Sequence, residues 1–368
     1  MPFCPAKCNY CDFNSYPAAA FGGEAYLTAL KQEITLLLKE VSLSEVETIY
    51  IGGGTPTVFD TEQLVLLMEF LKSKLNFLQI QEAAIEANPG TVSFEKLLAL
   101  KKAGFNRISI GIQSLDDSML SFMGRVHNAQ EAVDAVSMVR EAGWQNINVD
   151  LIYGLPNQTT AMWEDTLEKV IQLNPEHISS YGLKIESSTS WGRDYANGKI
   201  TLPDDEIISK MYKSLQRVLK ANGYLHYEIS SYCKKQKAGR HNSVYWQNEY
   251  YLGVGSGAAS FYAGKRFYNI KNPDLYINSL ANGIRPLEEV IGLTLDEQIS
   301  ETMFMKLRLL SGVNTADFKK RFGISPLDKY DKEIKKLTEL NLIHVQGDII
   351  KLTEKGIPLA NLVFMEFV

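Results

Sequence analysis

What most restricts the fold of this chain is a regular alternation that begins near residue 46. VETIYIGGG (46–54), EAAIEANPG (82–90), NRISIGIQS (106–114), NINVDLIYGLP (146–156) and HISSYGLKIE (177–186) read as strands. They are short, β-branched, and mostly closed by glycine or proline turns. Helical candidates alternate with them: EAYLTALKQEITLLLKE, TEQLVLLMEFLKSKL, SFEKLLALKKAG, NAQEAVDAVSMVREAG and AMWEDTLEKVIQL. Their apolar residues recur at three- and four-residue spacing, and two of them end in Ala-Gly, a helix C-terminus signal. Strands separated by helices pair in parallel, because a parallel connection needs a crossover. The strands read as apolar on both faces, as a buried parallel sheet or barrel requires. The expected class is α/β.

Polar and glycine residues gather at the C-terminal ends of these strands: Gly52 to Thr55, Glu86, Gln113 and Asp150. In parallel α/β folds that rim binds ligands, so these residues are expected to share a pocket. Beyond about residue 200 the alternation weakens. A long amphipathic helix (204–222) precedes YLHYEISSYCKK and the aromatic, glycine-rich HNSVYWQNEYYLGVGSGAASF. From about Asp296, helical segments precede NLIHVQGDIIKLTEKG, two strands about a Gly-Asp turn, which together suggest a winged-helix-like module. Three regions are therefore expected: a core at 1–225, a connecting segment at 226–295, and a C-terminal module at 296–368.

Composition narrows the partners. The 368 residues carry a net charge of −5, and 45% are hydrophobic, which fits a globular protein with a substantial core. Residues 296–368 hold 11 Lys and Arg against 11 Asp and Glu. The basic footprint that nucleic-acid binding requires is missing, so that module reads as a packing or lid element. No apolar run approaches the roughly 20 residues a membrane span needs. Four cysteines, three clustered and one alone at Cys233, do not form a disulfide framework. A reducing cytoplasm is the expected setting, and Cys233 reads as an inert thiol.

The three clustered cysteines lie in PFCPAKCNYCDF (2–13), where Cys4, Cys8 and Cys11 have the spacing C-x3-C-x2-C. A zinc site usually wants four ligands, often as two C-x2-C pairs, and no second pair or nearby histidine exists here. A cubane [4Fe–4S] cluster normally takes four cysteines. Three would leave one iron open to a small molecule. Pro5, Lys7, Asn9 and Asp12 in the same stretch suit a loop wrapped around a ligand better than a core segment. A structural zinc knob or buried inert thiols are the plainer alternatives.

Together with GGGTPT (52–57), EANPGT (86–91), GIQS (111–114) and DLIYGLPNQ (150–158), this stretch resembles the radical S-adenosylmethionine (SAM) superfamily. The resemblance is to its group of oxygen-independent coproporphyrinogen III oxidases and heme chaperones, and it covers essentially the whole chain. It implies a partial (β/α)6 barrel with the cluster at its open top and an α+β winged-helix-like module at the C-terminus. Cys4, Cys8 and Cys11 would ligate the [4Fe–4S] cluster. S-adenosylmethionine would chelate the open iron, and one electron would cleave it to a 5′-deoxyadenosyl radical. Gly52, Gly53 and Gly54 would meet the cofactor's amino group, glycine allowing close approach, with Thr55 beside them. Glu86 stands at the position of a cofactor-contacting carboxylate. Gln113 and Asp150 would face the nucleoside, and Arg125 would pair with the carboxylate, a task suited to a guanidinium.

Two features separate the subfamilies. The oxidases are expected to carry a further cysteine two positions after the third, where this chain has Phe13. HNSVYW (241–246) matches the H-N-x-x-Y-W pattern associated with the chaperones. The resemblance makes His241, Asn242, Tyr245 and Trp246 a heme-binding set, with His241 as axial ligand. A histidine among aromatics is equally a core residue with ordinary hydrogen bonds, and Asn242 a turn residue. Both features favour a heme chaperone, which would pass heme to proteins such as respiratory cytochromes, over coproporphyrinogen III decarboxylation. Peripheral membrane contact would follow from a membrane-bound recipient, and dimerisation stays open. Only Met1, Pro2 and Phe3 precede Cys4, too few for the first barrel strand that such a fold normally carries. The expectation is that this strand is absent from the chain and that the natural product is longer.

Overall fold

In a computed structural model, which describes residues 1–18, 22–43 and 45–368, the alternation resolves into one sheet. Its parallel part runs β1 (Thr48–Ile51), β2 (Glu82–Ala87), β3 (Arg107–Gln113), β4 (Ile147–Tyr153) and β5 (His177–Gly182). An antiparallel pair, β6 (Leu225–Glu228) and β7 (Ser231–Cys233), completes the order β1-β2-β3-β4-β5-β7-β6. The sheet is thus a half-barrel with five parallel strands, among the described residues, and a hairpin at one edge. That hairpin was not foreseen, and the boundary drawn at 225/226 falls inside β6.

Helices α1 (Gly23–Leu37), α2 (Thr61–Lys74), α3 (Phe94–Ala103), α4 (Ala129–Glu141), α5 (Thr160–Leu173) and α6 (Asp205–Ala221) accompany the sheet. Local signals set their limits. Ser93 caps α3 by accepting from the Lys96 N–H, and Gly104 ends it at φ 113, a conformation that costs glycine little. Asn128 and Glu131 form a capping box on α4. The helices bury the outer face of the sheet, where Ile49, Ile85, Ile108, Ile110, Val149 and Leu151 join one core with Leu64, Leu67, Leu97, Val136 and Leu167. Each such side chain contributes about 1.5–3 kcal/mol on burial.

The inner face is different, and it corrects the expectation of strands apolar on both sides. Register sets Thr48 beside Glu82, Glu86 beside Ser109, Ser109 beside Asn148, Asn148 beside His177, and Asp150 beside Ser179. Alternate positions share a face, so one face of every parallel strand carries polar groups. A closed core could not accept them unpaired. Here Glu82, Glu86, Ser109, Asn148, Asp150 and Ser179 line an open chamber, while Thr48 and His177 pair with neighbouring side chains.

Beyond the sheet, α7 (Arg240–Trp246) carries the HNSVYW stretch, and Ala259–Tyr262, Lys265–Asn269 and Leu287–Gly292 form a three-stranded antiparallel sheet. The C-terminal region places helices Leu295–Lys306, Thr315–Phe322 and Asp331–Glu339 against a three-stranded sheet that includes the hairpin Ile343–Gln346 and Ile349–Leu352. It has its own core, with Met303, Leu307, Phe318, Leu337, Ile350 and Phe364. It meets the barrel through backbone bonds from Ile229 N to Arg308 O (3.1 Å) and from Leu310 N to Tyr227 O (3.0 Å). No helix of the described residues is long and apolar enough to cross a membrane.

Candidate functional site

The loop holding the cysteines is fixed from both sides. Phe3–Cys4 pairs in parallel with Tyr16–Pro17. Asn9 donates from Nδ2 to Phe122 O (2.9 Å) and from its backbone to Met123 O (3.0 Å). Lys7 Nζ donates to Phe13 O (2.5 Å) and Ser15 Oγ (2.9 Å), closing the loop. The start of the loop lies along the turn after β1: Gly54 N donates to Met1 O (2.8 Å) and Thr55 N to Phe3 O (2.7 Å).

These contacts explain the glycines. A Cβ on Gly54 would stand 2.5 Å from Phe3 O, and one on Gly52 would stand 2.6 Å from the Tyr50 ring and 2.7 Å from the Glu86 carboxyl carbon. Gly53 sits at φ 112. Close approach is indeed required here, but between segments of this chain.

Cys4, Cys8, Cys11, Gly53, Gly54, Thr55, Glu86, Gln113, Arg125 and Asp150 all line one cavity of ≈ 370 Å³, within the usual ligand-pocket range of roughly 300–1,000 Å³. Gly52 stands behind it. The three thiols are unpaired and half-buried. Among the described residues no three Cys, His, Asp or Glu side chains gather closely enough to hold one metal ion, and the three thiols are placed together by the one cavity they line. Thr55 Oγ1 donates to Cys4 Sγ and Arg125 Nη1 to Cys8 Sγ, both at 3.5 Å. Burial lifts the Cys11 thiol above its ordinary range.

Arg125 reaches across the chamber to Asn88 Oδ1 and Gly111 O, each 2.5 Å from Nη2. Its Nε is buried with no partner, which leaves a donor for a ligand to satisfy. Burial opposes its charge, yet Tyr10 and Cys8 outweigh burial and hold it above the ordinary guanidinium range. Gln113 ends β3 at φ 65, where a register shift interrupts the pairing with β4. A non-glycine residue held there is strained and re-aims its side chain.

Two carboxyls face this end of the chamber. Glu86 accepts from Tyr50 Oη at 2.5 Å and from Gly53 N at 3.0 Å. Burial raises it above the usual carboxylate range, and Asp150 adds to the effect against those two donors. Asp150 accepts from Ser109 Oγ and Asn148 Nδ2, each at 2.8 Å, and burial raises it likewise. A positively charged group entering here would find two carboxyls whose ionised form it stabilises.

The deep end of the chamber is a buried network. His177 Nδ1 meets Asn148 Oδ1 (2.6 Å) and its Nε2 meets Tyr227 Oη (2.8 Å), which also accepts from Gly239 N (3.1 Å). Here α7 closes the barrel. The Glu82 carboxylate accepts Arg240 N and His241 N at 3.0 Å each, capping the helix where its dipole favours a negative charge.

The four motif residues separate. Asn242 lines the chamber from below, on the helix rather than in a turn. His241 engages both ring nitrogens, Nδ1 with Thr48 Oγ1 (2.8 Å) and Nε2 with Tyr245 Oη (2.7 Å). Burial holds its pKa down to about 4. Trp246 lies under the Arg308 guanidinium, 4.3 Å from its ring centroid, against the C-terminal module. Phe13 stands 67% exposed at the cavity lip. Cys233 is buried in β7.

Sequence reading missed Tyr50, Asn88, Arg107 and Tyr181, all of which line the chamber. Strand alternation was the available signal: Thr48 and Tyr50, like Ser179 and Tyr181, occupy the same face as the residues that were found.

Residues 1–170 match the model of the Radical SAM superfamily and residues 293–359 that of the HemN C-terminal domain. A protein named heme chaperone HemW from Bacillus subtilis is 37% identical over 368 residues, covering 100% of this chain and 97% of that one. The HemW of Lactococcus lactis is 35% identical, with 100% and 95% covered. The solved structure of coproporphyrinogen III oxidase HemN from Escherichia coli superposes with a TM-score of 0.86 at 24% identity, covering 100% of this chain and 88% of that one. At that identity the likeness carries the fold alone. Its agreement with the half-barrel, the thiol-lined chamber and the relatives matched along their length leads to one assignment: the chain belongs to the HemW family of the radical SAM superfamily.

Proposed function

We propose that this protein is a heme chaperone that carries a [4Fe–4S] cluster and S-adenosylmethionine in the half-barrel and delivers heme to recipient proteins such as respiratory cytochromes. The observation that carries the reading is the chamber itself. Three thiols outside any disulfide line it, together with Arg125, whose Nε is orphaned, and the carboxyls of Glu86 and Asp150. Three cysteines with no histidine and no fourth cysteine among the lining residues suit a cluster with one open iron better than a four-ligand zinc site.

In this reading Cys4, Cys8 and Cys11 hold the cluster, and Thr55 and Arg125 donate to two of the thiolate sulfurs. When bound and reduced, the cluster would supply one electron to the cofactor. Gly53, Gly54 and Glu86 orient the amino group, Arg125 pairs with the carboxylate, and Gln113 and Asp150 face the nucleoside. Gly52 keeps space for the Tyr50–Glu86 pair. The relatives' name supplies heme, and the heme set is His241, Asn242, Tyr245 and Trp246. Iron reaching His241 Nε2 must replace the Tyr245 hydroxyl there, so heme uptake entails a turn of the Tyr245 side chain.

Phe13 favours chaperone over oxidase, since an exposed phenyl at the lip offers no thiol chemistry. Anaerobic cluster reconstitution, followed by EPR with and without S-adenosylmethionine and then heme titration, tests the whole. The expected result is a cluster signal altered by the cofactor and stoichiometric heme uptake reduced in His241→Ala. Ordinary turnover of coproporphyrinogen III would overturn the chaperone reading, and uptake unchanged in His241→Ala would remove the role of His241.

A further inference from the structure

Tyr50 connects two regions that the sequence holds far apart. Its hydroxyl donates to Glu86 Oε1 at 2.5 Å, while the other carboxyl oxygen accepts from Gly53 N at 3.0 Å. Its ring lies nearly parallel on the His241 imidazole, with centroids 5.1 Å apart and planes 17° from parallel. That imidazole is fixed by Thr48 at 2.8 Å and Tyr245 at 2.7 Å, and its backbone N–H is fixed by Glu82 at 3.0 Å. Gly52 leaves the space for the Tyr50–Glu86 pair, since a Cβ there would overlap both side chains. The chain of contacts therefore runs unbroken from the helix that closes the barrel to the glycine turn under the cysteine loop.

Each link constrains the next. A carboxyl that accepts from two fixed donors has a set orientation, leaving its remaining lone pairs toward the cavity. A tyrosine whose hydroxyl reaches a carboxyl and whose ring rests on a held imidazole has little torsional freedom. Without the imidazole, one face of the Tyr50 ring loses its support, and the hydroxyl can leave Glu86.

We propose that Tyr50 is a positioning residue that couples His241 on the floor helix to Glu86 in the S-adenosylmethionine site. The proposal rests on the reading of the chamber as that site. It makes cofactor affinity depend on a residue at the opposite end of the barrel. By linkage, whatever displaces the His241 ring changes cofactor affinity by the same factor as the cofactor changes its own binding.

The test is a titration of S-adenosylmethionine into the reconstituted, reduced protein, read as the change in the cluster's EPR spectrum. Iron content and circular dichroism control for folding and loading. Tyr50→Phe keeps the ring stack and loses the hydroxyl bond, so affinity falls about tenfold, the scale of one hydrogen bond to a charged group. His241→Ala removes the support and weakens binding several-fold, whereas His241→Phe keeps an aromatic face under Tyr50 and restores most of the affinity. Tyr50→Phe with His241→Ala binds no more weakly than Tyr50→Phe alone, because the two act through one path. Independent, multiplying effects, or a His241→Ala protein with unaltered affinity, overturn the coupling. No spectral response to the cofactor in the unaltered protein overturns the site reading and the coupling with it. Heme titration of the same samples reports separately on the chaperone reading.

Discussion

Gly54→Ala gives the sharpest view of how the glycine turn serves the cysteines. The new Cβ would sit 2.5, 2.8 and 2.9 Å from the O, N and C atoms of Phe3. These are backbone atoms, so no rotamer change relieves the overlap. Ordinary contact begins near 3.4 Å, and the segment must retreat about 0.9 Å, the difference between 3.4 and 2.5 Å. The bonds Thr55 N to Phe3 O and Gly54 N to Met1 O, at 2.7 and 2.8 Å, then stretch beyond hydrogen-bonding reach. Two bonds at about 0.5–1.5 kcal/mol each give a loss of about 1–3 kcal/mol. For a chain of 368 residues the corresponding fall in Tm is about 1–4 °C, at an unfolding entropy of about 2.1 cal/mol/K per residue. Cys4 moves with Phe3, so iron and sulfide bound per chain after anaerobic reconstitution should fall as well. Gly90→Ala is the matched control, because nothing lies within 4 Å of its added Cβ. A Gly54→Ala protein that melts with the unaltered chain and loads a full cluster would refute the reasoning.

Other perturbations follow from the same contacts. Tyr276→Phe removes the hydroxyl that donates to the buried Glu33 at 2.5 Å, leaving Gly255 N and Asn269 Nδ2 as its donors. The expected cost is about 1–3 kcal/mol, measured by urea unfolding. His127, His226 and His241 are each held near pKa 4 chiefly by burial, so the unfolded chain binds more protons between pH 6.5 and 4. Their contribution is full above about pH 6.5 and is lost as pH falls through that window. The buried acids Glu33 and Glu228, raised by burial, oppose this slope, so the difference between the unaltered protein and His226→Asn isolates one histidine. In that comparison Tm should fall less steeply on acidification in the variant. Trp246→Ala withdraws the ring under Arg308 and should expose the link to the C-terminal module, read as faster cleavage in limited proteolysis.

The outer half of the fold was plain in the sequence because its signals are local. Ile108, Ile110 and Ile112 announce β3, and Ser93 with Gly104 bracket α3. The cysteine spacing and the glycine turn needed no tertiary information either. The inner half was hidden in those same strands. Ser109 and Gly111, taken within a strand apolar on both faces, are part of the chamber wall. The hairpin Leu225–Cys233 escaped notice because Tyr227 gains its partner, His177, only in the folded chain, from 50 positions away. Distance along the sequence did the rest: Thr48 and His241 are 193 positions apart, and nothing local in either reports the other. The resemblance made the motif's aromatics heme contacts, and nothing local announced that Tyr245 meets His241 or that Trp246 meets Arg308 of the C-terminal module.

The division between an apolar outer face and a polar inner one has a consequence for how such a protein survives between tasks. Most of the hydrophobic core lies outside the chamber, among the helices and the backs of the strands, with Ala87 and Ile152 reaching its wall. Emptying the chamber removes no part of that core, and the inward side chains keep much of their hydrogen bonding through Asn148, Ser109, His177 and Tyr227. The vessel therefore stands without its cargo. A chain stripped of iron should remain folded and ready for refilling, so oxidative damage to a cluster would be a repairable event rather than the loss of the molecule.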